Sequence, residues 1–115
     1  MKKTLLFITL FISIATMAQI TEPTRTAVFT MGESSSQYYR IPALVETADG
    51  TLVAIADQRG TSLGDLPNII SIVSKRSTDG GATWESMVTI AQGNSTNGTT
   101  YGDAAAVYDE NTGKI

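Results

Sequence analysis

The sequence contains neither cysteine nor histidine. Without cysteine, no disulfide framework braces the chain and no lipidated cysteine anchors it, so its stability has to come from packing. Without histidine it lacks the commonest general base and the usual zinc ligand, and neither serine-triad nor zinc-hydrolase chemistry finds support in these 115 residues. Basic side chains are scarce as well. Eight Lys and Arg stand against eleven Asp and Glu, a mildly acidic balance that offers nothing to a nucleic acid. Carboxylates, arginines and tyrosines are the chemistry that remains, and no cofactor or metal is expected.

Lys2 and Lys3 precede an almost wholly apolar run from Thr4 to Ala15, followed by small residues ending at Ala18-Gln19. The run is short of the about 20 residues a spanning helix needs, and it has the layout of an export signal. Residues 1–18 are therefore expected to be removed, leaving 19–115 as the exported segment, in the periplasm or outside the cell and with no membrane attachment. Thr16 at the −3 position leaves the exact cut open.

After a linker from Gln19 to about Arg25, the pattern predicts short strands. The runs Ala43–Thr47 and Thr51–Ala56 flank Ala48-Asp49-Gly50, where Asp-Gly predicts a hairpin with a tight primed turn. A second pair is predicted from Ile69–Arg76, a turn at Asp79-Gly80-Gly81, and a strand resuming near Thr83-Trp84, which Met87 to Ile90 continues or follows. Gln92 to Gly102 has loop chemistry, rich in Gly, Asn, Ser and Thr. Ala104–Tyr108 reads as a strand, Asp109–Gly113 as a turn, and Lys114-Ile115 as the start of a returning strand. A hairpin ending there leaves backbone groups unpaired, so a truncated sequence is expected, prone to aggregate on its own.

Ser77-Thr-Asp79-Gly-Gly81-Ala-Thr83-Trp84 matches the Asp-box pattern S-x-D-x-G-x-T-W at every defined position. The physics is that of a turn: the Asp79 carboxylate accepts turn amides, Gly81 takes positive φ, and Trp84 packs over adjoining strands. Asp79 and Trp84 are structural on this reading.

Tyr39-Arg40-Ile41-Pro42, upstream of that turn, resembles the (F/Y)-R-I-P signature of sialidases. Ala56-Asp-Gln-Arg59, Gly64-Asp65-Leu-Pro67, the Asp-box and Gly102-Asp103 follow in order, so the chain looks like the start of a bacterial retaining exo-α-sialidase from about Tyr39 to Ile115. The implied fold is all-β: about the first two blades of a six-bladed propeller, since a blade takes about 40–50 residues.

The resemblance also implies roles. Sialic acid carries a carboxylate on its anomeric carbon, and a planar guanidinium binds a carboxylate through two parallel hydrogen bonds while staying charged. Arg40 matches one of the three family arginines that clamp this group. Asp65 matches the aspartate that protonates the departing glycosidic oxygen and later activates water. Arg59 and Asp103 match positions lining the sugar pocket at the fourth-carbon hydroxyl, although Ala104 stands where the family has proline. Asp57 is a candidate to orient Arg59, and an ion pair of Arg59 with Asp57 or Asp103 is the structural alternative. The family's tyrosine nucleophile, its glutamate partner and two further arginines match no position here; Tyr38, Tyr39, Tyr101 and Tyr108 do not take the nucleophile's place. The 115 residues alone are thus expected to be inactive. The implied partners are sialylated glycans, with a non-catalytic Asp-box propeller that binds glycan or another extracellular ligand as the alternative.

Overall fold

The computed structural model describes residues 24–36 and 38–115; the export-signal expectation lies outside these residues. Four strands, β1 (Tyr38–Glu46), β2 (Leu52–Arg59), β3 (Ile70–Ser77) and β4 (Val88–Ala91), form one antiparallel sheet in the order β1-β2-β3-β4. Each strand lies beside its sequence neighbour, the up-and-down meander of a propeller blade. The two central strands carry the buried apolar residues. Ala54, Ile55, Ala56, Ile70, Ile72 and Val73 are all buried, whereas edge strand β1 alternates between half-buried and exposed positions.

The β1–β2 hairpin differs from the expected primed turn. Gly50, at φ 81°, is the one positive-φ residue of the loop, whereas a type I′ turn needs two. Thr47 N–H donates to Thr51 O at 2.9 Å and Gly50 N–H to Thr47 O at 2.9 Å, closing a three-residue loop in which Gly50 takes the left-handed position. Asp49 Oδ1 accepts the Thr51 N–H at 3.1 Å and holds that geometry.

The Ser77–Trp84 turn is built from its alternate residues. Ser77 Oγ, 1 % exposed as part of its residue, accepts the Gly81 N–H at 2.9 Å and donates to Asp79 Oδ1 at 2.7 Å. Asp79 also accepts the Thr83 N–H at 2.9 Å, and Gly81 sits at φ 88°. Glu85 N–H then donates to Arg76 O at 2.8 Å, so the loop occupies residues 77–84 and the strand resumes at Val88, later than Thr83-Trp84. Hydrogen bonds from the Thr83 hydroxyl, the Thr83 amide and Ser77 pull the Asp79 pKa down to about 2. A carboxylate held below its unfolded value contributes stability above about pH 4 and loses it as pH falls toward the folded pKa. Between about pH 4 and 2, Asp79→Asn is expected to flatten the fall of the chemical-unfolding midpoint relative to wild type. An unchanged slope would contradict the assignment.

Beyond β4 the chain forms two isolated bridges, Asn94↔Thr99 and Asp109↔Lys114. The Asp109–Gly113 turn is present, with Gly113 at φ 68°. Ala104–Tyr108 is not a strand, because among the described residues it finds no ladder partner; Val107 is 78 % exposed. By length the chain suggests about two blades, but the described residues complete one four-stranded sheet and continue from it without a second.

Candidate active site

The candidate residues gather at the end of the sheet opposite the β1–β2 hairpin. Arg40 on β1 pairs with Asp57 on β2, and Tyr38 with Arg59. Directly opposed residues point to the same face, as do residues two apart, so Arg40, Asp57 and Arg59 share one face. A bulge in β1 makes this possible. The register moves from Arg40↔Asp57 to Ala43↔Ile55, which inserts one extra residue at Ile41-Pro42. Without it, a one-residue change of phase would put Arg40 on the face of Leu44 and Glu46. Pro42 has no N–H to give the ladder and suits an edge-strand bulge. Ile41 takes φ 51°, a strained value for a β-branched residue, which persists only where the surroundings hold it.

At the centre lies a fully buried ion pair: Arg59 Nη2 donates to Asp57 Oδ2 at 2.8 Å, and neither side chain has exposed surface. Asp57 pushes the guanidinium pKa above its already high value, with smaller contributions from Asp65 and Asp103. Arg59 Nη1 donates to Leu63 O at 2.9 Å and to Gly64 O at 2.8 Å, and Nη2 reaches Asp65 Oδ1 at 3.2 Å. Arg40 Nη1 donates to the same Leu63 O at 3.1 Å. Two guanidinium groups thus converge on one carbonyl, two residues before Asp65. Among the described residues this is the only hydrogen bond of the exposed Arg40 side chain, leaving Nη2 and Nε as free donors. The Asp65 side chain is 62 % exposed beside it.

Asn68 staples the loop from Gly60 to Pro67. Its Nδ2 donates to Ser62 O and Gly64 O, each at 3.1 Å, and its Oδ1 accepts from Thr61 Oγ1 at 2.9 Å. Thr100 Oγ1 accepts the Ile70 N–H at 2.9 Å and donates to Asn68 O at 2.9 Å, and Tyr101 N–H donates to Ile70 O at 3.0 Å. These bonds lay residues 100–103 along the start of β3 and bring the Asp103 N–H within 3.1 Å of Asp57 Oδ1. Ser36 Oγ donates to Arg59 O at 2.9 Å and ties the segment before β1 to the end of β2. Asn68, Thr100 and Ser36 were not foreseeable as site-builders from residue type.

Arg40, Arg59, Asp65 and Asp57 are therefore brought together, and exposed Asp103 is joined to them through its backbone. The expectation of a direct sugar contact by Arg59 meets a side chain with no exposed atom and with both terminal nitrogens in use. Its ion pair is with Asp57, not Asp103. A cleft lined by residues including Thr47, Asp49, Arg76 and Tyr108 lies at the hairpin end, away from this cluster.

The fold and these residues define a class: a propeller blade of all-β type carrying an arginine-carboxylate cluster at one strand end. No family model matches the chain. It is 40 % identical over 85 residues to a sialidase of Micromonospora viridifaciens, covering 73 % of this chain and 13 % of that protein. It is 46 % identical over 56 residues to a sialidase of Bacteroides fragilis, covering 49 % of this chain and 10 % of that protein. The crystal structure of the NanB sialidase of Streptococcus pneumoniae superposes with a TM-score of 0.57 at 28 % identity, over 60 % of this chain and 11 % of that one. The chain is a segment of the sialidase family, and it spans a small part of the length of these relatives.

Proposed function

We propose that, in a protein of its relatives' length, this segment supplies one side of the site of an exo-α-sialidase that releases terminal sialic acid from glycans with retention. The observation that carries the proposal is the convergence of the Arg40 and Arg59 guanidiniums on Leu63 O beside exposed Asp65, in a chain similar to sialidases. Arg40, exposed and with donors to spare, takes the substrate carboxylate. Fixed positive charge there selects sialic acid over neutral sugars, because a guanidinium matches a carboxylate in shape as well as charge.

Asp65 protonates the departing oxygen and then activates water. Its position on a braced loop rather than in the core lets it approach the leaving group from the solvent side. Asp103 meets the fourth-carbon hydroxyl, and Arg59 joins it only when the Leu63–Asp65 segment withdraws; otherwise Arg59 holds that segment in place. The attacking tyrosine, its glutamate partner and two further arginines belong to parts of the protein outside these 115 residues. A neutral tyrosine suits this substrate because a carboxylate nucleophile would be repelled by the sugar's own charge. Export of the protein, directed by residues 1–18, puts it where sialylated glycans occur.

Asp65→Ala in the full-length protein tests the acid role. Turnover of sialosides with alkyl or sugar leaving groups is expected to fall by about 100-fold or more, the range of general acid catalysis, whereas a phenol leaving group of low pKa needs little protonation and loses far less. Equal losses on both substrates would rule out Asp65 as the acid, and a wild type that turns over neither substrate would leave a glycan-binding propeller as the better reading.

A further inference from the structure

Asp57 and Arg59 are the only charged side chains in the buried set among the described residues, and the role proposed above for the site makes no use of Asp57. Its two oxygens face different loops. Oδ2 pairs with Arg59 Nη2 at 2.8 Å, and through Arg59 it reaches Leu63 O, Gly64 O and Asp65 Oδ1. Oδ1 accepts the Asp103 N–H at 3.1 Å. The loop bearing Asp103 comes in close: a Cβ at Gly102 would sit 3.5 Å from Asp57 Oδ2. Asp103 itself takes φ 59°, a left-handed conformation that a non-glycine residue keeps only under restraint, and the bond from its own N–H to Asp57 supplies one.

We propose that Asp57 is a positioning residue: one buried carboxylate fixes the loop of the acid Asp65 and the loop of Asp103 relative to each other. An apolar residue at position 57 would pack against Ile72 just as the rest of the core does, but it would release both loops at once. The inference rests on the reading of Asp65 as the acid and extends it inward. Precise placement matters because a shift of about 1 Å at a reacting group costs about 100-fold in rate.

The test is Asp57→Asn in the full-length protein, which keeps the shape and one acceptor but removes the charge that holds Arg59. A loss that comes from general loosening would be the same for every substrate. Misplacement of the acid is selective, so kcat/KM for a sialoside with an alkyl leaving group is expected to fall about 10- to 100-fold further than for one with an acidic phenol. In the Asp65→Ala background, Asp57→Asn is expected to add no further selectivity, since the group it positions is gone. Should Asp57→Asn fail to fold, Arg59→Lys decides instead: lysine keeps the pair with Asp57 but cannot fork to Leu63 O, Gly64 O and Asp65, and the same selective loss is expected. Equal losses on the two substrates, with Asp65→Ala still selective, overturn the positioning role alone. An unselective Asp65→Ala overturns the underlying acid assignment, and the proposal with it.

Discussion

Arg40→Ala in the full-length protein is expected to abolish nearly all sialoside turnover while leaving the fold intact. Truncating one partner of a hydrogen-bonded charge pair costs about 2–5 kcal/mol, so kcat/KM should drop by at least about 30-fold. The fold is spared because the Arg40 side chain is exposed and gives up a single hydrogen bond, to Leu63 O, which Arg59 continues to satisfy. Arg40→Lys is expected to fall between wild type and alanine, since lysine keeps the charge but loses the planar fork. Thermal unfolding beside steady-state kinetics checks both halves of this expectation. A large fall in melting temperature would mean that Arg40 holds the strand rather than the ligand.

Arg59→Met should do the opposite, striking stability first. Methionine leaves Asp57 charged and unpaired in a site with no exposed surface, and it frees Leu63 O and Gly64 O. Breaking a buried ion pair by removing one partner costs about 3–5 kcal/mol, a large share of the about 5–15 kcal/mol that holds a typical domain together. The double variant Asp57→Leu/Arg59→Met is expected to recover much of that loss, because replacing a whole buried pair with apolar side chains is often neutral or stabilising. Its activity should stay low, since the loop of Asp65 has lost its anchor. Denaturant midpoints for the two single variants and the double variant measure this directly, and a double variant as unstable as Arg59→Met would show that the damage lies elsewhere than in the stranded carboxylate.

Much of the sheet was legible because its strands carry the signals that physics requires of them. β2 opens on the apolar run Leu52–Ala56 and β3 is rich in β-branched Ile70, Ile72 and Val73, both suited to central strands, and the Ser77–Trp84 turn places a hydroxyl, a carboxylate and a glycine at the spacing their bonds need. Ala104–Tyr108 misled because composition describes a strand's side chains but says nothing of whether a partner lies alongside. The bulge at Ile41-Pro42 was hinted at only by the proline, yet it decides which face Arg40 occupies.

The site was legible as residue types and opaque as geometry. Arg40 and Asp65 were separate motif positions, and the atom that links their surroundings is the Leu63 carbonyl, a backbone group that carries no signature of its own. Arg59 at a strand end reads as a residue lining the sugar pocket, and arginines are seldom fully buried unless paired. The clue was Asp57 two positions earlier on the same face, which offered an ion pair but could not reveal that it excludes solvent.

The central claim is that Arg40 recognises a sugar carboxylate, and a binding cycle tests it most directly. Affinities of the full-length protein and of Arg40→Ala would be measured for a non-hydrolysable sialic-acid glycal and for the same glycal with its carboxylate converted to a neutral carboxamide. The wild type is expected to prefer the carboxylate, and Arg40→Ala to lose about tenfold or more of that preference while binding the carboxamide nearly as well as wild type. A preference for the carboxylate that survives unchanged in Arg40→Ala would contradict the account.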